Sequence, residues 1–95
     1  MLSEQQKNII IETLKPHNPS FIGLFGSYAR NEETEKSDID ILYEFNSNYS
    51  LYDLMDMKES LSNLLNKKID LVSRKFLNKH FKPHIEKDIK ILYSA

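Results

Sequence analysis

Three carboxylates and one glycine–serine pair are the residues of this 95-residue chain whose types and spacing can do chemistry. Asp38 and Asp40 stand two apart. The alternation of Ile39, Ile41, Tyr43 and Phe45 with Asp38, Asp40, Leu42 and Glu44 predicts a strand over 38–45 that is polar at one end. Both acids then project from one face with Cβ atoms roughly 7 Å apart, close enough to share one or two hard cations. Without a cation such a pair repels itself, whereas Mg²⁺ takes one or two carboxylates together with substrate phosphates. Asp70 adds a third acid on the polar face of Lys68-Ile69-Asp70-Leu71-Val72. Gly26 closes the short apolar run Phe21-Ile22-Gly23-Leu24-Phe25, where the backbone can turn sharply and approach a ligand. Ser27 follows with a hydroxyl and an N–H at the start of an expected short helix, Ser27 to Asn31, whose first amides and dipole favour a phosphate. Alone, Gly-Ser is an ordinary turn and Asp-x-Asp a solvated strand edge; with Asp70 they form a constellation.

Positioning these groups requires strands with helices behind them. Ser3 and Gln6 form a capping pair ahead of Ile10, Ile11 and Leu14, which predicts a first helix ended by Pro16 and Pro19. Phe21–Phe25 predicts a buried strand, 38–45 a second, and Lys68–Ser73 a third. Ser50 and Asp53 cap a second amphipathic helix through Leu51, Leu54, Met55, Leu61, Leu64 and Leu65, stopping near Asn66. The tail is expected to be helical around Pro83–Asp88 and to finish in a short strand at Ile89–Tyr93. This order predicts an α/β (α+β) fold, a small mixed β-sheet with helices packed on it, in a single domain over residues 1–95.

Composition narrows the function further. There is no cysteine, which excludes disulfides, thiolate metal sites and a cysteine nucleophile. No apolar run approaches the ~20 residues that cross a bilayer, so a soluble cytoplasmic protein with no membrane role is expected. Charge is segregated: residues 1–66 carry 5 Lys/Arg against 11 Asp/Glu, and residues 67–95 carry 8 against 3. These are either two solvated faces or surfaces for partners of opposite sign. His80 and His84 stand four apart with Pro83 between them and no third ligand, which argues against a zinc site. The tyrosines lack the basic-aromatic strand pattern of nucleic-acid readers, so no direct nucleic-acid binding is expected.

Gly26-Ser27, ten residues, then Asp38-Ile39-Asp40 resembles the signature of the DNA polymerase beta-like nucleotidyltransferases. Within that superfamily, Gly26-Ser27-Tyr28-Ala29-Arg30 followed by Ser37-Asp38-Ile39-Asp40-Ile41-Leu42 is similar to the minimal nucleotidyltransferase (MNT) group, and Lys68–Val72 to its third acidic strand. Asn31 departs from the pattern, since many members carry a second glycine there. The resemblance implies that Gly26 and Ser27 hold a triphosphate and that Asp38 and Asp40 bind two Mg²⁺ ions. Asp70 would bind the metal nearer the acceptor and help deprotonate the attacking hydroxyl. Arg30 either neutralises the triphosphate or pairs with Glu32 or Glu33. It further implies AMP transfer from ATP to a tyrosine of a HEPN ribonuclease partner, as in the antitoxin half of MNT–HEPN toxin–antitoxin pairs. Neutralisation by binding alone, and transfer to a small molecule or an RNA end, are the other functions it admits, with a homo- or hetero-oligomer as the setting. The tail residues Phe76, Leu77, Phe81, Ile85, Ile89 and Tyr93 are expected either to complete the core or to meet that partner.

Overall fold

A computed structural model describes residues 2–95. Helix α1 spans Glu4–Leu14 and is followed by a 3₁₀ turn, Lys15–His17. Strand β1 is Pro19–Phe25, β2 is Ile39–Phe45, α2 is Leu51–Leu65, β3 is Ile69–Ser73, α3 is Lys82–Asp88 and β4 is Lys90–Ser94. The four strands make one mixed sheet in the order β3-β2-β1-β4, with β2 and β3 parallel and the other pairs antiparallel. This is the small mixed α/β fold that the alternation of strand and helix patterns predicts. Among the described residues no helix is long and apolar enough to cross a membrane.

Both expected capping boxes form. The Ser3 hydroxyl accepts from the Gln6 amide at 3.1 Å while Gln6 reaches back to the Ser3 amide, and Ser50 and Asp53 do the same for α2. Each box satisfies two amides that a helix start otherwise leaves unpaired. Asn66 ends α2 in the left-handed conformation, φ 53°, which its short polar side chain tolerates.

Strand alternation divides the sheet into two faces. Ile22 and Leu24 of β1, Ile39, Ile41, Tyr43 and Phe45 of β2 and Ile69 of β3 enter one core with Ile10 and Leu14 of α1 and Met57, Leu61 and Leu65 of α2. Burying each large aliphatic contributes roughly 1.5–3 kcal/mol, so α1 and α2 are held to that face. The other face carries Phe21, Gly23, Phe25, Asp40, Leu42, Glu44, Asp70 and Val72. Leu42 is nevertheless fully buried, so this face is not the wholly polar one that simple alternation suggests. The helical stripe of α2 also covers less than its pattern predicts, since Leu51, Met55 and Leu64 are exposed.

Candidate active site

The site is built where β1 ends and where β2 and β3 run side by side. Register pairs Phe25 of β1 with Asp40 of β2, and Asp40 with Asp70 of β3. Asp40 and Asp70 therefore lie on one face of neighbouring strands, whose spacing is roughly 4.8 Å. The sequence places them thirty residues apart; only the parallel pairing brings them together. Asp38 lies just before β2 rather than within it. The expected strand over 38–45 thus loses its first residue, and the pair of acids carried by strands is Asp40 with Asp70. Ile39 pairs its amide with the Lys68 carbonyl at 3.0 Å, which anchors the start of β2 beside β3 and Asp38 at the same end of the sheet.

Gly26 leaves β1 directly against Asp40. Its φ is +73°, and a Cβ built there would overlap Asp40 Oδ2. Glycine is thus required twice, for the left-handed backbone and for the space in front of a carboxylate. The expected helix over Ser27–Asn31 is not formed. The Gly26 carbonyl accepts from both the Ala29 and Arg30 amides, at 3.1 and 3.2 Å, and the Ser27 carbonyl from Glu32 at 2.9 Å. Asn31 is left-handed, φ 58°, so the chain closes one turn and cannot propagate it. That backbone also explains the departure noted in the sequence, because asparagine is the residue other than glycine that best tolerates this conformation.

The electrostatics follow from the crowding. Partial burial first, then the Asp70 and Asp38 charges, push the Asp40 carboxyl above its ordinary range, while Arg30 pulls it down. Arg30 Nε lies 3.3 Å from Glu32 Oε2 and its Nη1 3.6 Å from Asp88 Oδ2, so it pairs with Glu32 and also with a residue that its sequence position did not suggest. The acids fit a hard divalent cation by donor type, an excess of carboxylate oxygen around one raised acid. They do not stand as a closed cage, for among the described residues no group of three or more His, Cys, Asp or Glu is arranged to hold a metal ion. His80 and His84 are exposed.

Tyr43 and Tyr49 share a hydroxyl–hydroxyl hydrogen bond of 3.0 Å inside an aromatic cluster with Phe45 and His17. They complete the core. Tyr52 is exposed. Asp88 and Lys90 belong to the surroundings of the Gly26 turn and went unread in the sequence. A single acid at a helix end gives no signal until the sheet brings that end back.

Residues 8–95 match the family described as Polymerase beta, Nucleotidyltransferase. MJ0128 of Methanocaldococcus jannaschii, named by inference as a protein adenylyltransferase, is 43% identical over 90% of this chain and 85% of its own length. In fold, the chain is similar to a toxin–antitoxin structure with AMP-PNP, at a TM-score of 0.83 and 24% identity over 94% of this chain and 73% of the other. It is also similar to a structure of a tri-AMPylated Shewanella oneidensis HEPN toxin in complex with its MNT antitoxin, at a TM-score of 0.78 and 22% identity over 99% and 74%.

Proposed function

This chain belongs to the polymerase beta nucleotidyltransferases, and from that premise we propose that it transfers AMP from ATP to a tyrosine hydroxyl of a HEPN-type ribonuclease toxin, acting as the antitoxin of the pair. The observation that carries the reading is the register Phe25–Asp40–Asp70, which sets Gly26 against one carboxylate and a second carboxylate beside it. The adenylyltransferase name of MJ0128 and the AMPylated toxin held by an antitoxin of this fold support the acceptor class.

Gly26 and Ser27 receive the triphosphate, because a turn without a Cβ lets backbone and hydroxyl donors come close to it. Asp38, Asp40 and Asp70 would hold two Mg²⁺ ions, which would supply positive charge to the oxygens of an in-line displacement. Asp70, the most exposed of the three, faces the acceptor and takes up the proton of the attacking hydroxyl. The bond from that oxygen to the α-phosphorus forms as the bond to the β-phosphate breaks, and pyrophosphate leaves. We place the reaction in the cytoplasm, in one domain spanning the chain.

Incubation with the partner, ATP and Mg²⁺, followed by intact mass, tests this reading: the partner is expected to gain one or more AMP units. Asp38→Asn and Asp40→Asn are expected to abolish the gain with the circular dichroism spectrum unchanged, whereas Asp70→Asn retains ATP affinity and slows transfer. Activity surviving in both Asp38→Asn and Asp40→Asn defeats the metal assignment. Neutralisation by binding alone is the second reading, favoured by the exposed Phe76 and Phe81. It predicts that Asp40→Asn still silences the ribonuclease.

A further inference from the structure

The turn that carries Gly26 and Ser27 is tied from outside by the junction between α3 and β4. Asp88, the last residue of α3, pairs with Arg30 Nη1 at 3.6 Å, and Lys90, the first residue of β4, donates from Nζ to Asn31 Oδ1 at 3.3 Å. Ile89 between them packs against β1 at Gly23, where an added Cβ would stand 3.0 Å from its side chain. Lys90 also pairs in register with Leu24, two residues before Gly26. The junction is therefore fixed to the strand that delivers the turn, and both ties land on residues that follow Ser27.

Asp88 sits where local rules disfavour it. An acid at the C-terminal end of a helix faces the negative end of the dipole, and Arg30 is the cation that offsets it. Both side chains are partly shielded, 42% exposed for Arg30 and 32% for Asp88, so the pair is not fully surrounded by water. Glu32 takes Nε at 3.3 Å. With Nε and Nη1 each engaged by a carboxylate from a different side, the Nη2 N–H donors remain to meet an anion.

We propose that Asp88 is a positioning residue, which with Glu32 holds the Arg30 guanidinium beside Asp40 and presents it to the phosphates of the nucleotide. This rests on the nucleotidyltransferase reading above. Arg30 in turn is both partner of the surface acids and ligand of the triphosphate, and the C-terminal element, otherwise remote from the acids, sets nucleotide affinity.

Full-length protein titrated with AMP-PNP in MgCl₂ tests the proposal. Asp88→Asn and Asp88→Ala are expected to weaken binding about three- to tenfold through loss of the oriented charge-assisted pair, and Asp88→Glu to restore most of it. In the transfer assay the KM for ATP rises while kcat changes little. The Ala29 and Arg30 amides, bonded to the Gly26 carbonyl, exchange faster in Asp88→Asn. In an Arg30→Ala background, Asp88→Ala adds no further loss of affinity. Affinity unchanged in Asp88→Ala, or an equal loss with Arg30 already removed, overturns the proposal. Wild-type binding that ignores Asp40→Asn defeats the underlying reading instead. Sensitivity to Asp40→Asn without sensitivity to Asp88→Asn defeats this one alone.

Discussion

Asp40 is held half-buried next to two other acids. Its carboxyl is raised above the unfolded value of 3.8, so folding takes up a proton and stability falls as pH climbs from that value through the folded one. Asp40→Asn removes the penalty. In metal-free protein the variant should melt several degrees above wild type at pH 7, with the gap closing below pH ~4, where the carboxyl is neutral in both states. Mg²⁺ should raise the wild-type melting temperature and leave that of the variant nearly unmoved; thermal scans across pH, with and without the ion, measure both. Gly26 is the opposite case, a residue with no tolerance. Gly26→Val places a β-branched side chain at a positive φ and into Asp40 Oδ2. It should cost about 1–3 kcal/mol in urea titrations and abolish AMP-PNP binding. Asn31→Gly, at the second left-handed position, should be within about 0.5 kcal/mol of wild type.

Helix α2 supports the acids from behind. Met57, Leu61 and Leu65 pack under the same β2 and β3 that carry Asp40 and Asp70 on their other face. Its capping box therefore supports the site through the stability of the helix beneath it. Ser50→Ala leaves the Asp53 amide unpaired and should cost about 1 kcal/mol in a denaturant titration, with the KM for ATP unchanged at temperatures where the variant is folded. The cap and left-handed stop of α2 were legible in the sequence, because each depends on residues no more than four apart, whereas half of the expected stripe, Leu51, Met55 and Leu64, is exposed. The 27–31 turn was not legible. Its composition suits a helix, but Gly26 and Asn31 both take positive φ and confine it to a single turn, a constraint set by the close approach of Gly26 to Asp40.

The basic half of the chain ends in an exposed aromatic surface. Phe76 and Phe81 are 83% and 60% exposed, beside Lys75, Lys79 and Lys82 in the sequence. Of the tail residues expected to serve either core or partner, Leu77, Ile85 and Ile89 are partly buried, whereas Phe76, Phe81 and Tyr93 are exposed. An apolar anchor with a basic rim suits an acidic partner surface. Replacing Phe76 and Phe81 together by serine should weaken the proposed toxin complex by at least about tenfold without lowering the melting temperature, as titration calorimetry and thermal scans would show. Unchanged affinity would move the interface elsewhere, for example to Leu51, Tyr52 and Met55 on α2.

What the sequence by itself determined was local: the capped helices, the alternating strands, the Gly-Ser turn after β1, and three acids of the right kind. Those features follow from hydrogen bonds and side-chain periodicity within a few residues, so one chain written as letters already contains them. Tertiary structure alone decided which acids are neighbours. Parallel pairing of β2 with β3 puts Asp40 beside Asp70 and leaves Asp38 just outside the strand, and return of β4 to β1 brings Asp88 and Lys90 to the Gly26 turn. Strand order and register are set by which faces the helices bury over tens of residues, and periodicity along the chain carries no trace of that choice.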